Sequence, residues 1–284
     1  MRRRARGGRQ ATVTLSRAAG ALRLTQVSRI GMVMSDNAGG RAFFPSALEQ
    51  ATRSSLRELY EASPIPSQDR LEHLEVYMRP QRISEILSLG HLYRRILRSH
   101  GVIMEFGVRW GRHLSVFIAL RTRYEPHNLY RKVLGFDTFE GFADPSLKDG
   151  ASPRVHRGAM AVSERYEAHL EQVLALHEQE TPGSHIRRFD LVKGDAPEAL
   201  ERYFKQHPET IVALAYFDMD VYRPTKACLD LLGSHMTKGG IIAFDQISHP
   251  DFPGEAIALK ESAWFGRAAL ERLPYAPYPT FISV

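Results

Sequence analysis

The sequence predicts an α/β protein with a doubly wound, mostly parallel sheet of seven strands and helices ahead of the sheet that cover it. Three observations predict this. Between residues 102 and 247, short apolar runs alternate with helical patterns, the signature of successive βαβ units. The run 212–217, VALAYF, is apolar without alternation, as a central strand covered on both faces must be. Acids recur where such strands end, at Glu105, Asp137, Asp195, Asp218 with Asp220, and Asp245. In open α/β sheets ligands bind beyond the carboxyl ends of the strands.

Residues 1–35 hold eight arginines, no lysine and no acid; the first acid is Asp36. Without them 30 basic residues stand against 32 acidic ones, a net of −2, so the +6 of the whole chain belongs to this leader. It has no continuous apolar stretch and is not a secretory signal. It reads as a disordered basic arm, or as an upstream extension of the reading frame with Met32 or Met34 as the start. A nearly neutral body argues against a nucleic-acid partner, which would want a basic face on the domain itself. No apolar run approaches a membrane span. The one cysteine, Cys228, allows no internal disulfide and points to the reducing cytoplasm. Inside a helix, it is expected to be a buried structural thiol.

Residues 36–100 are expected to form a helical cap or lid. An amphipathic helix over 46–62 is broken by Pro64 and Pro66. A longer one follows over 81–99, with Ile83, Ile86, Tyr93, Ile96 and Leu97 as its apolar side and Gly101 past its end. The first strand, 102–106, leads into a helix over 110–124, and the second, 133–136, ends on Asp137. The polar loop 138–161 contains Gly141, Pro145, Gly150 and Pro153; loops of this length inside compact domains are functional lids or disordered. A helix over 163–179 precedes a third strand, 186–192, which runs into Lys193-Gly194-Asp195. A short helix at 197–204 leads to the central strand. The helix 225–235 carries Ala227, Leu231 and Leu232, Lys238-Gly239-Gly240 ends the crossover, and 241–244 is the fifth strand. Pro253-Gly254 opens one more helix, and 270–273 with 280–284 make an edge hairpin.

The stretch 105–111, EFGVRWG, ends the first strand and opens a helix. Its glycines let the backbone approach a ligand, and the helix N-terminus favours anionic or polar groups. The spacing is GxxxG, not the dinucleotide GxGxxG, which argues against an NAD-dependent oxidoreductase. Asp137 is placed to accept hydrogen bonds from a ribose diol. Asp195 reaches toward an adenine amine or caps the helix at Pro197. Asp218, Asp220, Asp245 and Gln246 converge from two neighbouring strands, an oxygen set that suits a hard cation such as Mg²⁺. Taken singly, each of these acids reads equally as a helix cap or a solvated turn residue.

Six segments carry a resemblance: 105–111 (EFGVRWG), 135–142 (GFDTFEGF), 191–195 (LVKGD), 218–226 (DMDVYRPTK), 238–247 (KGGIIAFDQI) and 252–256 (FPGEA). On them the chain resembles the class I S-adenosylmethionine-dependent methyltransferases, and more closely the macrocin-type sugar O-methyltransferases of antibiotic biosynthesis. It departs from the family pattern at Gln246, where an acid is usual, and at Ala143, where proline is common. The resemblance implies a Rossmann-like fold with residues 101–284 as the S-adenosylmethionine-binding methyltransferase domain. It implies that Glu105, Phe106, Gly107, Gly111, Asp137, Thr138, Gly194, Asp195 and Asp218 surround the cofactor, and that Asp220, Asp245 and Gln246 hold Mg²⁺. The acceptor it implies is a hydroxyl of a deoxysugar, nucleotide-linked or on a glycosylated natural product; a phenolic or polyketide acceptor is the alternative. His249 is the candidate base, with Asp218 in reserve. The expected partners are a small-molecule acceptor and further copies of the chain, with no nucleic acid and no membrane. A competing reading from another class is an RNA-binding protein acting through the Arg-rich leader.

Overall fold

The structure, a computed structural model, describes residues 45–284. The leader, 1–35, lies outside the described residues. Two compact units divide at Pro64/Ile65, within the segment expected to form one helical cap. In the first unit, α1 (Ala47–Glu61) starts on a reciprocal cap. Ser46 Oγ accepts the Glu49 N–H at 3.2 Å, and the Glu49 carboxylate accepts the Ser46 N–H at 2.7 Å.

The second unit, Ile65–Val284, contains α2 (Ser67–Arg70), α3 (Pro80–Arg95), β1 (Val102–Phe106), α4 (Arg112–Tyr124), β2 (Val133–Asp137), α5 (Tyr166–Gln179) and β3 (Phe189–Lys193). It continues with α6 (Ala196–Gln206), β4 (Val212–Phe217), α7 (Tyr222–Leu231), β5 (Met236–Phe244), α8 (Gly254–Lys260), β6 (Leu270–Arg272) and β7 (Thr280–Ser283). Seven strands form one sheet in the order β3-β2-β1-β4-β5-β7-β6. The first five are parallel, and β7 runs antiparallel to both β5 and β6. The chain moves from β1 outward to β3 on one side, then returns to β4 on the other. The order therefore reverses between β1 and β4, which opens a crevice at their carboxyl ends. Side chains alternate between two cores: Met104, Phe106, Phe217 and Phe244 pack with α6, α7 and α8, while Ile103, Val133 and Tyr216 pack with α3, α4 and α5. Cys228 is fully buried, as its helical setting predicts. Among the described residues, no helix is long and apolar enough to cross a membrane.

Two elements differ from the sequence expectation. On α3, Ile83 and Ile86 are 40% and 37% exposed, and Leu97 beyond its end is 37% exposed; the buried face carries Glu85, Ser88, Leu89, Leu92 and Tyr93. A helical period of 3.6 offers two candidate stripes here. The one that wins contains a glutamate, whose partners on α4 hydropathy cannot count. Gly239 and Gly240 do not close the crossover before the fifth strand but lie inside β5. The pairing jumps from Val212↔Met236 to Leu214↔Ile241, and the left-handed Gly239 (φ 84°) belongs to the bulge.

At the amino ends of β1, β2 and β3, the largest fully buried side chains are Arg121, Arg131 and Arg188. Glu178 of α5 accepts from Arg121 at 2.6 Å and from Arg188 at 2.9 Å, and Glu125 accepts from Arg131 at 2.9 Å. Further guanidinium hydrogens reach carbonyls, including Arg188 O from Arg121 at 2.6 Å and Ser99 O from Arg131 at 2.8 Å. This network lies at the end of the sheet opposite the crevice.

Candidate active site

A cavity of about 580 Å³ fills the crevice beyond β1, β2, β4 and β5. Its foundation is a row of aromatic rings. Phe136, Phe106, Phe217 and Phe244, in register on β2, β1, β4 and β5, stack with centroids 5.1, 4.8 and 5.3 Å apart. Each is the last or penultimate residue of its strand, and the next residues are Asp137, Gly107, Asp218 and Asp245. The acids thus stand immediately above a wholly apolar layer. Gly107 (φ 92°) permits the junction, because a Cβ there would collide with the Asp218 carbonyl oxygen.

Of the residues singled out in the sequence, Gly107, Asp137, Thr138, Gly194, Asp195, Asp218, Asp220, Asp245 and Gln246 line this cavity. Glu105, Phe106, Gly111 and His249 do not. Phe106 belongs to the aromatic row. Gly111 (φ 74°) opens α4, and a Cβ on it would collide with Leu170 of α5, so helix packing accounts for that glycine. His249 sits on the loop after β5, its Nδ1 accepting the Asp251 N–H at 3.2 Å and its ring 5.5 Å from Phe252. Glu105 is fully buried behind His113, and its Oε2 has no hydrogen-bond partner.

On the β1–β2 side, Asp137 organises two turns. Its carboxylate accepts the Arg109 N–H at 2.7 Å and the Phe139 N–H at 2.6 Å. Both donors sit in left-handed backbone, at φ 48° and 59°. Each carboxylate oxygen retains a lone pair for a ligand. Asp195 occupies the N-cap position of α6 but makes no capping bond with its side chain. Burial, reinforced by the charge of Glu198, raises its carboxyl above the ordinary range.

On the β4–β5 side, burial and the neighbouring charge of Asp245 push Asp218 well above the usual carboxylate range. Burial and the same neighbour raise Asp220 to about 7, although Arg154 and Arg109 pull it down. Asp220 sits at φ 61°; its N–H and that of Met219 donate to Glu255 Oε1 at 3.2 and 3.0 Å. Tyr216 donates its hydroxyl to Asp245 Oδ1 at 2.9 Å. The long loop is pinned beside them: buried Asp149 accepts the N–H of Tyr222, the first residue of α7, at 2.5 Å.

Sequence reasoning misses His113, the second residue of α4 and 1% exposed. Its Nε2 lies 2.7 Å from Glu85 Oε1, and its Nδ1 lies 3.2 Å from Glu105 Oε1 and 3.7 Å from Asp218 Oδ2. Arg112 Nη2 approaches His113 Nε2 to 3.1 Å because both converge on the same Glu85 oxygen, 2.5 Å from Arg112. Burial alone would strip the proton from this ring. The hydrogen bonds to Glu105 and Glu85 outweigh it and hold the pKa at about 10. Glu85, His113 and Asp245 bring ligand-type atoms within 4.8 Å of one another. With its two ring nitrogens each facing a carboxylate, His113 joins Glu85 to Glu105 as a charge hub at the edge of the cavity. The signal available in the sequence was position: His113 falls one turn into the helix that the GxxxG stretch opens.

No protein-family model matches the chain, and no curated protein matches it. Among solved structures, that of CalS11, a calicheamicin methyltransferase, is 41% identical with a TM-score of 0.83, covering 88% of this chain and 99% of the other. The chain belongs to the macrocin-type sugar O-methyltransferases. A second, apo structure of CalS11, a TDP-rhamnose 3'-O-methyltransferase of calicheamicin biosynthesis, is 40% identical with a TM-score of 0.74, covering 84% and 96% of the two chains. The O-methyltransferase NovP, 18% identical with a TM-score of 0.51 over 71% and 79% of the two chains, shares the fold.

This methyltransferase is a class I, S-adenosylmethionine-dependent enzyme, and its β1–β2 half fits that cofactor. The fit rests on Asp137 with lone pairs to spare, Asp195 without a capping bond, and the orphaned Glu105 Oε2. The β4–β5 half fits a hard cation, since crowded carboxylates raised by burial and mutual repulsion are relieved by one. Asp137→Ala is expected to weaken S-adenosylhomocysteine binding by about 1.5–3 kcal/mol, the size of a lost hydrogen bond to a charged group. Titration calorimetry checks it, and an unchanged affinity would remove Asp137 from the cofactor site.

Proposed function

We propose that this methyltransferase transfers the S-adenosylmethionine methyl group to a hydroxyl of a deoxysugar, assisted by Mg²⁺ held by Asp220, Asp245 and Gln246. The observation that carries the sugar acceptor is the 41% identity to CalS11 over nearly its whole length, together with that protein's action on TDP-rhamnose. In this reading Asp137, Thr138, Gly194 and Asp195 hold the adenosine end, while Gly107 and the buried Glu105 stand nearest the methionine end.

The cofactor supplies a methyl group on a sulfonium: the acceptor oxygen bonds to the methyl carbon, and the S–CH₃ electron pair stays on sulfur. The chain must align that oxygen, exclude water and take the hydroxyl proton. We assign the proton to the carboxylate of Asp218, which lines the cavity, whereas His249 stands outside the lining. Asp218 suits the task by position: it follows the last residue of β4 and lines the cavity with both Asp137 and Asp245. Asp245 is oriented by Tyr216, and Asp220 by the turn that Glu255 holds. A divalent cation at Asp220, Asp245 and Gln246 would lower the pKa of a chelated hydroxyl.

Mass spectrometry of reactions with S-adenosylmethionine and a panel of deoxysugar acceptors, nucleotide-linked and glycosidic, tests the acceptor. A phenolic substrate methylated in preference to every sugar would overturn the reading. EDTA is expected to abolish turnover while leaving S-adenosylhomocysteine binding nearly intact, and Gln246→Glu to preserve or tighten metal binding. Full activity of dialysed enzyme in EDTA would exclude the metal from the mechanism.

A further inference from the structure

Five arginines and no lysine line the cavity: Arg82, Arg109, Arg112, Arg154 and Arg223. Three of them are matched by acids. Arg82 and Arg112 both bind Glu85, and Arg223 binds Asp144. Arg109 and Arg154 have no acidic partner within 4.0 Å among the described residues. Arg109 lies two residues past Gly107, on the turn that Asp137 holds. That is the end read above as nearest the cofactor's methionine, whose carboxylate can take its charge. Arg154 stands on the other side, carried by the long loop. Its guanidinium carbon lies 5.1 Å from the ring of Phe252, a buried residue after β5 that also lines the cavity. The loop closes on itself: Phe142 N–H donates to Ala159 O and Gly158 N–H to Phe142 O, both at 2.9 Å. An ordered frame thus presents an unmatched guanidinium at the β4–β5 side.

A groove of about 650 Å³ adjoins the cavity and shares Asp144 and Arg223 with it. Pro145, Leu147 and Val155 of the long loop line it, with Tyr222 of α7, one ring face of which Lys148 covers. Arg154 lines the cavity and the next residue, Val155, lines the groove, so the guanidinium stands where the two spaces meet. Apolar and aromatic walls suit a nucleobase, and a guanidinium at the junction suits an anion joining that base to a sugar. With a divalent cation on the acids, Arg154 keeps no counter-charge unless the acceptor brings one, and a neutral glycoside brings none. We propose that Arg154 selects a nucleotide-linked acceptor: it binds the diphosphate at this junction, with the sugar inward at Asp218, Asp220 and Asp245 and the nucleoside outward in the groove. This rests on the reading of the β4–β5 end as the acceptor site.

The test is titration calorimetry of the S-adenosylhomocysteine complex with thymidine diphosphate and with thymidine. EDTA is present, so that no cation bridges the diphosphate to the acids. Wild type is expected to bind the diphosphate more tightly than thymidine. Arg154→Met, which keeps an unbranched stem over Phe252, should weaken the diphosphate by about 10–10²-fold, and Arg154→Lys by less. Thymidine bound as tightly as its diphosphate, or a diphosphate indifferent to Arg154→Met, overturns the proposal. So does a variant that loses S-adenosylhomocysteine and the diphosphate together, because Arg154 would then only hold the loop. In turnover of a nucleotide-linked deoxysugar the loss should fall on KM. A loss in kcat alone marks a charge that merely tunes the neighbouring acids and also overturns the proposal. The binding readout needs no turnover, so it is independent of the sugar panel. Sugars methylated by an enzyme indifferent to Arg154 overturn this proposal and leave the proposed function standing. A diphosphate held by Arg154 in an enzyme that methylates phenols in preference to every sugar supports the diphosphate site and overturns the proposed function.

Discussion

Asp218→Asn is expected to lower kcat by about 10²–10⁴-fold, the usual contribution of a positioned general base. The amide keeps the shape of the side chain and its place beside His113 but cannot take a proton. Binding of S-adenosylhomocysteine, measured by calorimetry, should change by no more than about threefold, within the cost of one weak neutral hydrogen bond. His249→Ala is the control: its ring lies outside the cavity lining, and near wild-type turnover is expected. The opposite pattern, with His249→Ala inactive and Asp218→Asn active, would move the base to the loop after β5 and remove Asp218 from the chemistry.

Glu178→Gln is expected to destabilise the protein by about 3–5 kcal/mol without touching the active site. The glutamine fits the space, but it leaves Arg121 and Arg188, both fully buried, with no counter-charge between them. Taking two guanidiniums out of water without a partner is what makes the loss large. A fall in Tm of about 10 °C by calorimetry, with kcat retained below the transition, is the expected pair of results. An unchanged Tm would mean that the carbonyl acceptors around the two arginines suffice to hold them.

The frame of this fold was legible because parallel strands announce themselves. VLGF, VALAYF and IIAF are apolar on both faces, VIMEF is so at every position but Glu105, and each lies in the sheet where its run predicts. The strand ends followed, and with them Asp137, Asp195, Asp218, Asp220 and Asp245 at one cavity. What stayed hidden depends on partners far apart in the chain. Glu85 on α3 reads as a polar-face residue until His113 and Arg112 of α4 are known to face it. His113 reads as an ordinary helix histidine until Glu105 and Asp218 enclose it. Arg121, Arg131 and Arg188 count as surface charge in any composition, yet all three are fully buried. His249 is singled out in the sequence by its place on the loop after the fifth strand; there its Nδ1 accepts the Asp251 N–H, and its ring is not part of the cavity lining.

The stacked phenylalanines at the ends of β2, β1, β4 and β5 act as a ruler for the whole site. Side chains on a strand alternate between faces, so a slip of one residue in any of these strands would exchange a ring for its neighbour, on three of them an acid. That would drive a charge into the apolar layer and lift an aromatic ring into the cavity. Partly assembled pockets are therefore excluded, and the carboxylates converge only when all the rings are seated. Loss of cofactor affinity on heating should coincide with loss of near-ultraviolet circular dichroism from those rings, so that one optical curve reports folding and ligand competence together.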